Sequence, residues 1–238
     1  MATYNGQKYI KQQIVSILKQ LSETDELIIS DDNSLDNTKE VINEINDNRI
    51  KFYIHNRDFS KKKHQSGYYC SNNFSNAIEK ASGDYIFLSD QDDIWCDNKV
   101  ERILNELKTS DLCMSNFSII DGSEKVITQK YFSKNPITKN WFINLNKNVY
   151  FGCCMAFRKE CKEEFIPIPN SIPSYDSWIG AILHIKGKII TFIDEPLIQY
   201  RRHGLNVSFA TGKSKNSLIF KLYWRMQFLI TIMKHFSK

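Results

Sequence analysis

Tyr85-Ile86-Phe87-Leu88-Ser89-Asp90-Gln91-Asp92-Asp93-Ile94-Trp95 decides the reading of this chain. A short apolar run delivers three carboxylates within four residues and then stops. Carboxylates gathered at the end of a buried strand repel one another, so a fold that collects them works against their charge. A divalent cation removes that repulsion. Hard cations such as Mg²⁺ take oxygen ligands, commonly a carboxylate or two together with substrate phosphates. In open α/β sheets, ligands bind beyond the carboxyl ends of the strands. The run therefore reads as a site for a metal and a diphosphate, in preference to a solvated acidic turn that caps the next helix.

The flanking sequence gives the run its context. Phe74, Ala77, Ile78 and Ala81 fall at helical spacing before it, and Gly83-Asp84 leads into the strand. Val100, Ile103, Leu104 and Leu107 mark a helix after it, and Leu112 to Phe117 reads as the next strand. Upstream, Glu26 to Ser30 is a short buried strand that ends in Asp31-Asp32-Asn33-Ser34, a turn with an N-cap signal. Val41, Ile42 and Ile45 mark a helix, and Phe52-Tyr53-Ile54 a strand. Strands alternating with helices predict a parallel sheet of βαβ units.

The first unit is incomplete. The turn Asn5-Gly6 is followed at once by Tyr9, Ile10, Ile14, Ile17, Leu18 and Leu21 at helical spacing. The strand expected before that turn is missing or cut to a few residues, and Met1 reads as an internal methionine of a chain that begins upstream. From about residue 120 the rhythm breaks. Residues 120–149 are loop-rich, Tyr150 to Phe157 reads as a strand, Tyr175 to His184 as a helix, and Ile189–Ile193 and Leu197–Tyr200 as two further strands.

Composition excludes several classes. With 42% hydrophobic and 25% charged residues over 238 positions, the chain is an ordinary globular protein. No stretch is apolar enough to span a bilayer, and no basic segment followed by an apolar block marks a secretory leader. The six cysteines include no CxxC pair and read as small buried hydrophobes in a reducing compartment. Residues 196–238 hold eight Lys and Arg and no acid, a local +8 against +5 for the whole chain, so residues 1–195 carry −3. Such asymmetry implies an anionic partner for the tail. A nucleic acid fits poorly, because the basic excess sits on an apolar segment rather than on an aromatic platform.

Five pieces now stand in order. They are Ala2-Thr3-Tyr4-Asn5-Gly6, Ser30-Asp31-Asp32-Asn33-Ser34, Gly83 through Trp95, Tyr175-Asp176-Ser177-Trp178, and Tyr200-Arg201-Arg202-His203. Together the chain resembles a family 2 glycosyltransferase, and the wording from Asp90 to Trp95 is most similar to bacterial rhamnosyltransferase-like members that build surface polysaccharides. The resemblance implies a GT-A (Rossmann-like) α/β fold, a mostly parallel sheet flanked by helices, over residues 1–210. Residues 1–118 would be the nucleotide-sugar-binding half and 119–210 the acceptor half, with 211–238 a basic amphipathic tail.

It also implies residue roles. Thr3 and Tyr4 would border the nucleobase, and Asp32 would accept a hydrogen bond from a pyrimidine N3–H. Asp90 and Asp92 would be the DxD-like pair, one toward the ribose or metal, the other holding Mn²⁺ or Mg²⁺ against both phosphates. Asp92 is the first choice for the metal, with Asp93 ordering the loop or reaching the sugar. His203 would return to the metal, and Arg201 would clamp phosphate oxygens. Asp176 would deprotonate the acceptor in a single inverting displacement, in a pocket lined by Gly152-Cys153-Cys154. Here Tyr175 stands where the family often has an acid. The donor would be a UDP- or dTDP-sugar, rhamnose among the candidates, and the acceptor a saccharide or lipid-linked sugar. A cytoplasmic protein, peripheral on the inner face of the membrane, follows if the basic, aromatic segment 217–236 is a helix resting on an anionic membrane surface; the alternative for that segment is a helix packed on the domain or on a second subunit. Two rivals remain: a phosphatase of the haloacid dehalogenase type, which places its Asp-x-Asp near the N-terminus, and a degenerate transferase that binds a nucleotide sugar and serves a partner enzyme.

Overall fold

The structure is a computed structural model that describes residues 1–56, 66–203 and 218–237. The first half runs β1 (Ala2–Thr3), α1 (Ile10–Leu18), β2 (Leu27–Asp31), α2 (Thr38–Asn43), β3 (Ile50–Ile54), α3 (Ser66–Lys80), β4 (Tyr85–Phe87), β5 (Ile94–Trp95), α4 (Lys99–Leu107) and β6 (Leu112–Asp121). It continues through β7 (Val126–Thr128), α5 (Trp141–Lys147), β8 (Met155–Arg158), α6 (Lys162–Phe165), α7 (Tyr175–Ile185), β9 (Ile190–Arg202) and α8 (Leu218–Phe236). The expected α/β architecture is present, helices flanking sheet, with the C-terminal helix in place.

β1, β2 and β3 form one parallel sheet, with Ala2 opposite Ser30 and Leu27 opposite Ile50. All five residues of β2 are buried, the pattern of a parallel strand covered on both faces. The second sheet is mixed, in the order β4-β8-β6-β9-β5, with β7 paired to β6. Only β6 and β9 run parallel there; the other pairs are antiparallel. β1 is reduced to two residues. A cavity of about 530 Å³ lies between the sheets, lined by Met1, Leu27, Ile28, Ile86, Leu88 and Trp95 among others. At its wall the Met1 ammonium donates to the Ile28 carbonyl at 2.8 Å, and burial pulls its pKa down to about 5.

This topology delivers the acidic loop. Residues 88–93 span β4 and β5, which are pinned by different partners: β4 to β8, and β5 to β9 with Ile94 opposite Gln199. β9 is one strand where the sequence reads as two. It passes through Asp194-Glu195-Pro196 by a register shift opposite Ser115 and Asn116, so Arg201 and Arg202 end up level with Ile120 and Asp121. Its continuation brings His203 to the loop. β6 likewise runs on to Asp121, so residues 118 and 119 share one strand. The run from Tyr150 begins with a 3-10 turn, Gly152–Cys154, and becomes strand only at Met155. The loop-rich segment 120–149 contains β7 and α5.

α7 is sunk in the core, and Trp178 on it is fully buried. α8 docks there. Phe228 and Ile232, which spoil the amphipathic pattern when the tail is read alone, are its buried residues, and Phe228 meets Trp178 edge-on at 5.9 Å. His235 and Arg225 reach the carbonyls of Glu164 and Asn146. Leu222, Tyr223, Met226, Met233 and Phe236 stay exposed. The boundary between 210 and 211, with Lys213 and Lys215, lies outside the described residues. Truncating a buried Phe costs about 3–5 kcal/mol. Phe228→Ala is therefore expected to destabilise the protein by about 3 kcal/mol in urea unfolding, and Met233→Ala by under about 0.5 kcal/mol; equal effects would show that α8 is not docked.

Candidate active site

Thr3, Tyr4, Asp32, Asp90, Asp92 and Asp176 line one cavity of about 300 Å³, with Gly152, Cys153 and Tyr175 opposite. Each is held there by a specific local device. At the N-terminal end, Asn5 and Asn33 adopt left-handed conformations, φ +51 and +59, which Asn tolerates better than other non-Gly residues. Asp31 closes its own turn, accepting from the Ser34 amide at 2.7 Å and hydroxyl at 2.6 Å. Ser34 in turn accepts from the Asn5 amide at 2.8 Å, joining the two loops. Burial raises the Asp31 pKa. Asp32, buried beside it, is met by His55 Nδ1 at 2.6 Å.

Gln91, the residue between the two aspartates of the DxD-like pair, fastens this end to the acidic loop. Its Oε1 accepts from the Thr3 hydroxyl at 2.6 Å and the Tyr4 amide at 2.8 Å, and its Nε2 donates to the Tyr4 carbonyl at 3.1 Å. A Cβ on Gly6 would lie 2.6 Å from Gln91 Oε1, so the clamp requires glycine there. Asn73 supports the same loop by donating to the Thr3 carbonyl.

The acidic loop is electrostatically loaded. Burial, then the charges of Asp92 and Asp176, push Asp90 up to about 7. Burial and the Asp92 and Asp90 charges also raise Asp93. Asp93 Oδ1 accepts from the Arg201 amide at 2.9 Å, while its buried Oδ2 has no hydrogen-bond partner. Such an atom is costly in a closed fold and suits a cation. Asp92 Oδ2 lies 2.8 Å from His203 Nε2, so the two residues expected to share a metal sit side by side. Asp90, Asp93 and Cys153 also offer ligand atoms within 4.8 Å of one another. The donor set, carboxylates with one imidazole, fits Mn²⁺ or Mg²⁺.

Arg201 occupies a different place from the cavity wall. Its guanidinium is buried behind the loop, donating to the Asp92 carbonyl at 2.9 Å and to Gln12 at 2.6 Å, and lies 4.7 Å from the Tyr9 ring. It braces the loop rather than facing the cavity.

Asp176 sits in the first turn of α7. It accepts from the Ser174 hydroxyl at 2.6 Å and from the Ser177 amide at 2.7 Å. Burial raises its pKa and these bonds pull it back. Tyr175 stacks on Phe74 at 3.9 Å and fills the space beside Gly152, where any Cβ would collide with its hydroxyl.

This arrangement agrees with the comparisons. The sequence model described as Glycosyl transferase family 2 matches residues 1–165. The chain belongs to that family. A glycosyltransferase of Nostoc is 29% identical over 87% of this chain and 64% of its own length. The UDP-Glc:alpha-D-GlcNAc-diphosphoundecaprenol beta-1,3-glucosyltransferase WfgD of Escherichia coli is 32% identical over 64% of this chain and 56% of its own. The chain thus spans about three fifths of these two relatives' lengths. The dTDP-rhamnosyl transferase RfbG of Shigella flexneri is 27% identical over 95% of this chain and 81% of its own. Among solved structures, Staphylococcus aureus TarS with UDP-GlcNAc superposes with a TM-score of 0.67 at 17% identity, over 95% of this chain and 63% of that one, a likeness of fold.

Sequence reading assigned no part to Gln91, His55 or Asn73, which hold Thr3, Tyr4 and Asp32 at this cavity. The raised Asp90 pKa has a testable sign. Between the ordinary value of 3.8 and about 7 the unfolded chain releases a proton that the folded one keeps, so stability falls as pH rises. In EDTA, Asp90→Asn is expected to raise Tm relative to the native chain much more at pH 8 than at pH 4, and Mn²⁺ to narrow that gap. A pH-independent difference would refute it.

Proposed function

We propose that this chain is an inverting glycosyltransferase that moves a sugar from a UDP- or dTDP-sugar to a saccharide hydroxyl on a lipid-linked acceptor. One observation carries the reading: a single cavity is lined by Tyr4 and Asp32 at the base-recognising end, by Asp90 and Asp92, and by Asp176. The names of WfgD and RfbG support nucleotide-sugar donors and a polysaccharide product, with glucose and rhamnose as the sugars to test first.

In this reading Tyr4 flanks the base and Asp32, oriented by His55, accepts the pyrimidine N3–H. Asp92 and His203 hold Mn²⁺ or Mg²⁺, with Asp90 beside them toward the ribose. The ion, when bound, neutralises the diphosphate as it leaves. Asp93 and Arg201 keep the loop in shape behind these residues. Asp176, its pKa raised by burial, takes the proton from the attacking hydroxyl. The new carbon–oxygen bond forms as the bond to the diphosphate breaks on the opposite face, which inverts the anomeric centre. Gly152 and Cys153 leave room for the acceptor.

The exposed apolar face of α8, with Lys234 exposed beside it and no acid on the helix, suits an anionic lipid surface. Among the described residues no helix is long and apolar enough to cross a membrane. Surface attachment would bring the site to lipid-linked acceptors on the inner face of the membrane. Exchanging Leu222, Met226 and Met233 together for Ser is expected to abolish flotation with phosphatidylglycerol vesicles without lowering Tm; unchanged flotation would remove the membrane role.

The central test is thermal stability with UDP, dTDP and GDP, each with Mn²⁺ or EDTA. A ligand at about 100 times its Kd adds about 2.7 kcal/mol. We expect a metal-dependent rise with a pyrimidine diphosphate, lost in Asp92→Asn and kept in Asp176→Asn. Asp176→Asn should lower transfer by about 10²–10⁴-fold. Binding without transfer to any lipid-linked acceptor would favour the degenerate, partner-assisting reading, and no binding would sink both.

A further inference from the structure

Lys99, the first residue of α4, is completely buried, and none of the roles above uses it. A buried ammonium is expensive unless it is paired and hydrogen-bonded. At the start of a helix it also faces the positive end of the helix dipole. Burial pulls its pKa down to about 8, against the opposing influence of Cys154, Cys153, Asp93 and Cys96. Among the described residues its Nζ has one hydrogen-bond acceptor, the Cys153 carbonyl at 2.9 Å, and it lies 4.1 Å from the centre of the Trp95 ring. So costly a group is spent on one carbonyl.

That carbonyl belongs to the 3-10 turn Gly152–Cys154, which joins the acidic loop to the base. On one side Trp95 ends the acidic loop, and its ring carries the Lys99 ammonium. On the other side Gly152 packs against the ring of Tyr175, the residue that opens α7 just before Asp176. The turn is short, and its own backbone hydrogen bonds are few: Cys154 donates to the Phe151 carbonyl at 3.0 Å, and Met155 to Gly152. It therefore depends on outside contacts to fix its peptide planes, that of the Cys153 carbonyl first.

We propose that Lys99 is a positioning residue: by holding the Cys153 carbonyl while its ammonium rests on the Trp95 face, it fixes the Gly152–Cys154 turn, and so the seat of Tyr175 at the start of the helix that carries Asp176. This rests on the reading of Asp176 as the base only for its catalytic consequence; the mechanical link stands without it.

The test replaces Lys99 with Met, which keeps the chain's length and removes the cation, and reads amide hydrogen exchange. Lys99→Met should speed exchange at residues 152–154 by tenfold or more while the β6 amides keep their protection. Lys99→Gln, which retains a donor, should fall between the two. The Tm shift given by UDP with Mn²⁺ should stay the same, and UDP release from UDP-glucose in water should fall about tenfold. Adding Lys99→Met to Asp176→Asn should cost nothing further, since the two act through one carboxylate. Unchanged exchange at 152–154, or loss of protection spread equally over β6 in both variants, would overturn the proposal. If UDP-glucose is not cleaved at all, the functional reading fails for that donor, and the exchange data still decide whether Lys99 holds the turn.

Discussion

Four carboxylates, Asp90, Asp92, Asp93 and Asp176, are gathered in one part of the fold; burial, then the charges beside them, raise the proton affinity of Asp90 and Asp93, and the structure around them is arranged to bear that repulsion. Three belong to one loop between β4 and β5, so the cost cannot be relieved by letting the loop drift. It is anchored by strand pairing at both ends, by Gln91 in front and by Arg201 behind. The partnerless Oδ2 of Asp93 and the high Asp90 pKa measure what remains uncompensated. A divalent cation is the simplest charge that would complete this arrangement.

The same constraint explains why β9 matters more than its length suggests. It carries no residue of the acidic run, yet it pairs with β5, supplies the Arg201 amide to Asp93 and brings His203 to Asp92. The parallel pairing of β6 and β9 sets the height at which those groups arrive. The register shift opposite Ser115 and Asn116 keeps the strand continuous, and a break there would leave the loop braced on one side only.

Much of this was legible in the sequence because it is local. The apolar run before Asp90, the Asp31–Ser34 turn and the helix opening at Tyr175 each announce themselves within a few residues. What was not legible depends on partners far apart in the chain. Gln91 reads as a spacer until Thr3 and Tyr4 fold against it. Arg201 reads as a phosphate clamp until β9 buries it. The Tyr150–Phe157 run has a strand's composition, but its first half is a turn because Gly152 must pass under the Tyr175 ring. Residues 194–196 look like a break between strands, because the register shift that carries them is supplied by β6.

α8 shows how a single helix can satisfy two surfaces whose patterns interfere. Read alone, Phe228 and Ile232 are errors in an amphipathic stripe. Docked, they are the residues that pack against α7, whose first turn holds Asp176. The outer face is then free to stay apolar and basic without being needed for folding. A helix fixed this way transmits any surface it rests on to α7 as a rigid body, so attachment at the tail sets the orientation of the acceptor side of the cavity. Such a coupling would make a docked helix, rather than a free one, the better match to the lipid-linked acceptor proposed above.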